Sequence, residues 1–167
     1  MIKIRFGVIT VSDRASQGVR PDLTGPVIIK TILEQGWCII QHEIVPDDMS
    51  SLKIMLSKWA DQGKFDIILT AGGTGLSPRD ITPEATLMVI DRSVPGFQEA
   101  MRANSNRITP HSMLSRGVAG IRKSTLIINL PGSPKGAEEN LQVIIPVLPH
   151  AVQLLSDHPN AEDGHSL

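Results

Sequence analysis

The sequence predicts an α/β protein whose mainly parallel sheet has helices on both faces and one antiparallel hairpin. Strand-like apolar runs alternate with amphipathic segments through the first half of the chain. The run Phe65–Ala71 is almost continuously apolar, which is typical of a central parallel strand covered on both faces. Gly117–Arg122 and Thr125–Leu130 are separated only by Lys123 and Ser124, which indicates two strands joined by a tight turn.

The first half of the chain contains a strand, a helix, a second strand and a second helix. The β-branched run Ile2–Val11 predicts the first strand, and Thr24 is the predicted N-cap of the helix that follows a polar loop. Gly36 ends that helix as a left-handed cap, and Trp37–Val45 predicts the second strand. The amphipathic segment after it ends at Gly63, again as a helix would.

Helical patterns dominate the rest of the chain outside the hairpin. Thr82 is the predicted N-cap of a helix with proline at its first position, and helical patterning continues to Asn106 with a break at Pro95 and Gly96. A second, broken helical region runs from Ala137 to Leu155. The amphipathic patterns place Trp59 in the core.

Composition bounds the class of protein. The length of 167 residues favours a single domain, expected over residues 1–157, with a polar, frayed tail over residues 158–167. The net charge of -1 and the scarcity of aromatic residues argue against nucleic-acid binding. The single cysteine, Cys38, excludes an internal disulfide and predicts a small buried side chain. No run is long enough to span a membrane and no signal peptide is recognisable, so we expect a cytoplasmic protein.

Polar residues follow each predicted parallel strand, and ligands of open parallel sheets bind at the carboxyl ends of the strands. If the four strands are parallel, these loops surround one cleft. The candidate residues are Ser12, Asp13 and Arg14 after the first strand, Asp47 after the second, Gly72 to Asp80 after the third, and Pro131, Gly132, Ser133 and Lys135 after the Thr125 strand.

The segment from Gly72 through Gly73 and Thr74 to Gly75 is the strongest single signal. Glycines allow positive φ and let backbone N–H groups approach a phosphate. The segment has neither the spacing of a Walker A loop nor that of a dinucleotide-binding loop. A plain strand-to-helix turn is the alternative, but the polar residues that follow favour a binding loop: Ser77, Arg79 and Asp80.

Two aspartates are candidate ligands for one hydrated Mg²⁺. Magnesium is typically held by one or two carboxylates together with waters and substrate phosphates. Asp47 and Asp80, which follow separate strands, could supply these two carboxylates. The alternative role for Asp47 is capping the helix that contains Leu52, and the alternative role for Asp80 is stabilising the N-terminus of the helix at Pro83. For Asp48 we predict helix capping.

Basic and hydroxyl side chains near this edge are weaker candidates. Arg14, Arg79 and Lys135 could hold phosphate charge, although each alone is typical of solvated surface. Ser133 could donate to an oxyanion, and its alternative is a turn residue between prolines.

The sequence resembles the molybdopterin adenylyltransferase family, which includes bacterial MogA and MoaB proteins and the G domain of gephyrin. The similarity is carried by stretches in order along nearly the whole chain: GVITVSDRAS (7–16), IVPDD (44–48), TAGGTGLSPRDITPEAT (70–86), VPGF (94–97), SRGVAGIRKSTLIINLPGSPKG (115–136) and LPHAVQLL (148–155).

The resemblance implies a three-layer α/β fold, a homotrimer, and Mg²⁺-dependent transfer of AMP from ATP to molybdopterin with release of pyrophosphate. It implies that Asp47 and Asp80 are the essential aspartates, that residues 72–75 form the nucleotide and pterin loop, and that Pro131–Ser133 is a substrate-binding turn. The product would pass to a MoeA-type molybdate-insertion protein.

Two alternatives remain at this point. A MoaB-like protein could bind molybdopterin without catalysis, although both aspartates are present. A CinA-type nucleotide pyrophosphatase shares the domain but is longer, with a further domain.

Overall fold

The computed structural model describes residues 3–156, and its centre is one sheet with the strand order β2-β1-β3-β6-β5-β4. The strands are β1 (Arg5–Val11), β2 (Cys38–Val45), β3 (Ile67–Ala71), β4 (Arg92–Ser93), β5 (Ala119–Arg122) and β6 (Thr125–Leu130). β1, β2, β3 and β6 are parallel. β5 is antiparallel to both β6 and β4, so the predicted mixed sheet with one hairpin is confirmed.

Seven α-helices cover the sheet within the described residues. They are α1 (Asp13–Ser16), α2 (Thr24–Glu34), α3 (Met49–Asp61), α4 (Thr82–Leu87), α5 (Gly96–Ser105), α6 (Pro134–Ile144) and α7 (Leu148–Leu155), with 3₁₀ turns over Pro110–Leu114 and Ile145–Val147. No helix in this part of the chain has both the length and the apolar character needed to cross a membrane.

The sheet separates two apolar clusters, which makes the fold three-layered. Alternate residues of a strand point to opposite faces. Val8 and Leu69 pack with residues of α2, α6 and α7 on one face. Ile9 and Ile68 pack with residues of α3 and α4, including Trp59, on the other. Both faces of the central strands are therefore buried, as their continuous apolar sequence predicts.

Several local predictions are confirmed. Gly36 and Gly63 follow α2 and α3 with φ of 75° and 65°, which favours glycine. Asp48 caps α3, accepting a 2.8 Å hydrogen bond from Ser51 N. At the hairpin turn Lys123 takes a φ of 52°, and Trp59 is buried as predicted.

Other local predictions were wrong in detail. Thr24 and Thr82 lie inside the first turns of α2 and α4 and do not cap them, because their hydroxyls donate to backbone carbonyls of other loops. The helical pattern from Pro83 to Asn106 divides into α4, the short β4 and α5. Cys38 is only half-buried, because β2 is an edge strand. The predicted tail, residues 158–167, lies outside the described residues.

Candidate functional site

The carboxyl ends of the four parallel strands meet at one edge of the sheet, where the sequence places its polar loops. A cleft of 460 Å³ lies there. Its lining comes from the loops after β1, β2, β3 and β6 and from the N-termini of α2 and α6: Thr10, Val11, Ser12, Ala15, Arg20, Pro21, Asp22, Leu23, Thr24, Asp47, Ala71, Gly72, Gly73, Asp80, Gly132, Ser133 and Pro134.

Asp47 follows β2 and is held by an exchange of hydrogen bonds with Asp13. Asp47 Oδ2 accepts from Asp13 N at 2.9 Å, and Asp13 Oδ1 accepts from Asp47 N at 3.0 Å. Burial raises the pKa of Asp47, and the negative charges of Asp13 and Asp80 raise it further. Burial and neighbouring negative charge therefore both disfavour the ionised form of Asp47.

Asp13 differs from Asp47 because it has a cationic partner. Arg79 donates to Asp13 Oδ2 from Nη2 at 2.5 Å and from Nε at 3.2 Å. These hydrogen bonds lower the pKa of Asp13 and raise that of Arg79. The Arg79 guanidinium thus forms an ion pair with Asp13, and Arg79 does not line the cleft.

Asp80 follows the glycine-rich segment and forms two hydrogen bonds with Ser77, which close a short turn. Its Oδ2 accepts from Ser77 N at 2.9 Å, while its own N–H donates to Ser77 O at 2.9 Å. A Cβ at Gly75 would lie 2.9 Å from Asp80 Oδ2. Glycine at position 75 therefore leaves the space that the Asp80 carboxylate occupies.

Gly72 and Gly73 adopt backbone conformations that other residues rarely take. Their φ angles are 110° and 63°. A Cβ at Gly72 would collide with Val11 O, and one at Gly73 would collide with Thr82 Oγ1 and lie 3.1 Å from Asp47 Oδ1. The loop therefore needs glycine both for its conformation and for its close approach to β1 and Asp47.

The turn after β6 is fixed between α2 and the glycine-rich segment. Thr24 Oγ1 donates to Gly132 O at 2.7 Å, and a Cβ at Gly132 would lie 3.1 Å from Gly72 Cα. Ser133 caps α6, since its Oγ accepts from Gly136 N at 3.2 Å. The N-terminus of α6, where partial positive charge favours anions, thus opens into the cleft.

The structure brings together some of the predicted site residues. Ser12, Asp47, Gly72, Gly73, Asp80, Gly132 and Ser133 line the cleft. Ser12 also caps α1, accepting from Ala15 N at 3.2 Å. Asp80 bonds Ser77 and does not cap α4, whose N-cap residue Ile81 makes no side-chain capping bond.

Other predicted residues lie outside that lining, and a binding role for them stays a prediction. Thr74 is buried, Gly75 and Ser77 flank the Asp80 carboxylate, and Arg14 is exposed on α1. Lys135 is exposed on α6, 3.8 Å from Glu139. Pro131 lines a second cleft.

Sequence reasoning missed a polar cluster around Asp22 in the wall of the cleft. Asp22 is nearly fully buried; its Oδ1 accepts from Thr24 N and Gly25 N, and its Oδ2 accepts from Thr10 Oγ1 at 2.8 Å and lies 3.2 Å from His42 Nε2. Asp22 thus fixes the start of α2. Its position just before a predicted helix was a capping signal, which the hydroxyl of Thr24 obscured.

Sequence reasoning also missed Arg20, the one cationic side chain in the lining of the cleft among the residues described. It lies in the loop between α1 and α2, where its N–H donates to Arg14 O at 3.2 Å. The sequence instead indicates Arg14 as the candidate phosphate-binding arginine, because Arg14 lies nearer than Arg20 to the end of β1.

A second cleft, of 220 Å³, adjoins the first. Ser133 lines both. The lining of the second cleft is mixed: it includes the neutral polar residues Gln98, Ser105, Ser115 and Asn140, the charged residues Arg102 and Glu139, and the apolar residues Met101 and Pro131. Gln98 Nε2 is bound to Val118 O and Asn129 O, so its orientation is fixed.

Comparison with known proteins shows the family of the chain. Residues 7–150 match the family described as "Probable molybdopterin binding domain". The molybdopterin adenylyltransferase of Helicobacter pylori (strain J99) is 43% identical, over 93% of this chain and 89% of its own length. Gephyrin of Dictyostelium discoideum is 46% identical over 93% of this chain, and the chain spans 23% of gephyrin's length.

Among solved structures, the molybdopterin biosynthesis enzyme MoaB of Thermus thermophilus has a TM-score of 0.88 and 50% identity, covering 93% of this chain and 98% of that chain. MogA has a TM-score of 0.86 at 40% identity, covering 90% of this chain and 99% of that chain. The family match over most of the chain and these identities show that the chain belongs to the molybdopterin-binding domain family, whose named relatives act in molybdenum cofactor biosynthesis.

Proposed function

We propose that this protein transfers AMP from ATP to the terminal phosphate of molybdopterin, releasing pyrophosphate. The observation that carries the proposal is the placement of Asp47 and Asp80, which come from the ends of two different strands and line the same cleft as Gly72 and Gly73. Relatives 40–43% identical over most of the chain are named molybdopterin adenylyltransferase.

The nucleotide's phosphates suit the first cleft. Glycines at positions 72, 73 and 132 keep side chains away from the backbone, and α6 contributes the positive end of its dipole. Arg20 adds a formal positive charge. These groups together match a polyanion better than a neutral ligand.

The donor set fits Mg²⁺. No group of three or more His, Cys, Asp or Glu side chains able to hold a metal occurs within residues 3–156. Asp47 and Asp80 supply two hard oxygen donors, as is usual where Mg²⁺ keeps waters and binds substrate phosphates. Burial raises the pKa of Asp47 and the negative charges of Asp13 and Asp80 add to this rise, so a bound cation would stabilise the carboxylate. When bound, Mg²⁺ would neutralise charge on the triphosphate oxygens.

The pterin of molybdopterin suits the second cleft. A pterin is a neutral heterocycle with several donors and acceptors on its edge, and the second cleft offers the Arg102 guanidinium as a donor, the Glu139 carboxylate as an acceptor and the hydroxyl of Ser115 as either. Ser133 lies between the clefts and is therefore in position to contact the phosphate that joins the two substrates.

The chemistry then depends mainly on alignment. The attacking phosphate of molybdopterin is already ionised near neutral pH, so the site needs no strong general base. The protein's task is to place that oxygen in line with the α-phosphorus of ATP and to stabilise the departing pyrophosphate. Gly72, Gly73 and Ser133 would hold the phosphates, while Asp47 and Asp80 would hold the cation.

The experiment is incubation of the protein with molybdopterin, ATP and MgCl₂, with pyrophosphate release and adenylylated product as readouts. We expect stoichiometric product and pyrophosphate that both require molybdopterin. Release of pyrophosphate without molybdopterin would instead indicate a nucleotide pyrophosphatase and contradict the proposal.

A second candidate function is molybdopterin binding without AMP transfer. The observation that favours it is the 50% identity to the MoaB structure. The presence of both Asp47 and Asp80 in the cleft favours catalysis. Binding of molybdopterin and ATP without pyrophosphate release would support the second candidate.

Assembly and cellular context extend the proposal. On the resemblance we propose a homotrimer in the cytoplasm that passes its product to a MoeA-type insertion protein. Measurement of the molecular mass in solution tests the homotrimer. Transfer of the adenylylated product to a MoeA-type protein tests the proposed partner.

A further inference from the structure

We propose that Arg116 is a positioning residue that holds the segment Gly75–Asp80 so that the Asp80 carboxylate faces the cleft. The inference rests on the proposed function, because it assigns Asp80 to the cation and phosphates. Arg116 itself is absent from the lining of the cleft, so it acts through the loop and not on the substrate.

The guanidinium of Arg116 bridges both ends of that segment. Its Nε donates to Gly75 O at 2.6 Å and its Nη2 donates to Asp80 O at 2.8 Å. Its Nη1 pairs with Glu84 in the first turn of α4. The backbone N–H of Arg116 adds a fourth contact, donating to Thr74 O at 2.9 Å.

This arrangement explains how an otherwise exposed loop keeps one conformation. Leu76, Ser77, Pro78 and Arg79 are exposed. The loop's internal hydrogen bonds are the pair between Ser77 and Asp80 and the bond that Arg79 N donates to Ser77 Oγ. Without Arg116, the carbonyls at positions 75 and 80 would lose the donors that tie them to α4. Asp80 would then be held only through its bonds to Ser77 and through the Arg79–Asp13 pair, so the position of its carboxylate would be less firmly fixed.

The contacts require the shape of arginine and not only its charge. A guanidinium offers donors in a rigid planar fork, whereas a lysine ammonium is a single point. One ammonium cannot bond Gly75 O, Asp80 O and Glu84 in the positions they occupy. Hydrogen bonding from Arg116 also lowers the pKa of Glu84, so the carboxylate stays ionised and the ion pair persists in mildly acidic solution.

Arg122 provides a matched control. It also donates to a backbone carbonyl, Val89 O at 2.9 Å, and pairs with a carboxylate, Asp61, at 2.8 Å. Its side chain is 24% exposed, compared with 34% for Arg116. Arg122 lies beside the hairpin turn, at the opposite end of β6 from the cleft. Loss of either arginine therefore removes similar contacts, but only Arg116 contacts the Asp80 loop.

The test compares Arg116→Met, Arg116→Lys and Arg122→Met with the unmodified protein. The first measurement is hydrogen exchange of the amides of Ser77 and Asp80 in the free protein. The second is Mn²⁺ affinity of the ATP complex, measured from the signal of free Mn²⁺ by electron paramagnetic resonance. The third is the Mg²⁺ concentration that gives half-maximal pyrophosphate release.

We expect Arg116→Met to speed exchange at Ser77 and Asp80 and to weaken Mn²⁺ binding by about ten-fold, with a similar rise in the Mg²⁺ requirement. Arg116→Lys should recover less than half of these losses on a logarithmic scale. Arg122→Met should lower the melting temperature without changing any of the three measurements.

Unchanged loop exchange and Mn²⁺ affinity in Arg116→Met would overturn the inference. So would equal changes in Arg122→Met, or full recovery in Arg116→Lys. Failure of the proposed function is distinguishable, because it would appear as absence of product from the unmodified protein, while loop exchange and Mn²⁺ binding need no turnover.

Discussion

Asp13 and Asp47 exchange backbone-to-carboxylate hydrogen bonds in both directions, at 2.9 and 3.0 Å. The exchange joins the loops that follow β1 and β2 just beyond the parallel pairing of Val11 with Val45. It occupies Asp47 Oδ2 and leaves Oδ1 beside Gly73. One carboxylate oxygen is thus used to fix the side chain, and the other lies against the glycine-rich segment.

Replacement of Asp47 or Asp80 by asparagine should separate charge from shape. The amide oxygen can still accept the hydrogen bond that fixes each side chain, so folding should be nearly unaffected. Loss of one negative donor should lower the rate of AMP transfer by about 100-fold or more. Pyrophosphate release at saturating ATP measures the effect.

Asp48→Ala is the control for those two variants, because Asp48 is adjacent to Asp47 but caps α3 outside the cleft. It should cost about 1 kcal/mol of stability and leave transfer intact. Full transfer by Asp80→Asn would exclude Asp80 as a ligand of the cation.

Arg20→Ala should raise the KM for ATP more than Arg14→Ala does. Only Arg20 of this pair lines the cleft, and a charged hydrogen bond to phosphate is worth about 1.5–3 kcal/mol, or roughly a ten- to hundred-fold change in affinity. Steady-state kinetics in ATP tests this. A larger effect from Arg14→Ala would favour the assignment made from sequence over the one made from the structure.

Gly72→Ala should destabilise the protein by at least about 1–3 kcal/mol, the usual cost of a strained backbone conformation. Its φ is 110° and the added methyl group would meet Val11 O, a backbone atom of the central sheet that cannot easily move. Urea unfolding measures the loss.

Gly96→Ala is the matched control, because Gly96 lies in the first turn of α5 with no atom within 4 Å of an added Cβ. It should be neutral or stabilise by about 0.4–1 kcal/mol. Equal losses in the two variants would contradict the role given to the Gly72 conformation.

The elements that local sequence determines were predictable. Gly36, Gly63 and Asp48 act within one helical turn of their own positions, so their roles follow from neighbouring residues. The convergence of the strand-end loops was predictable as well, because parallel strands place their carboxyl ends at one edge. That argument, together with the family resemblance, predicted that Asp47 and Asp80 lie at this edge, and both line the cleft.

The features that the sequence did not predict depend on contacts between distant segments of the chain. The hydroxyl of Thr24 bonds Gly132 O, 108 residues away, and local capping preference cannot anticipate such a partner. Arg116 lies 36 residues from Asp80 and 41 from Gly75, so nothing near it in sequence indicates its contacts. Arg20 enters the cleft because Asp22 fixes the loop beside it, and that depends on Thr10 and His42 of two different strands.

Asp61 should contribute to the pH dependence of stability. Arg122 and Lys123 hold it at 2.8 and 2.9 Å, and their hydrogen bonds lower its pKa from 3.8 to about 2. An acid whose pKa is lower in the folded state stabilises the fold above its unfolded pKa, and this contribution disappears as the pH falls through the folded pKa. Asp61→Asn should therefore lower the melting temperature at pH 5 to 7, and the difference from the unmodified protein should shrink as the pH falls from about 4 to about 2.

Salt should also reduce the difference in melting temperature between Asp61→Asn and the unmodified protein, because the charges are exposed to solvent. Glu34→Gln, which removes the looser pair with Lys30 at 3.8 Å, should show a smaller difference at every pH. A difference for Asp61→Asn that stays constant between pH 2 and pH 6 would mean that packing of the side chain, and not its charge, stabilises the hairpin.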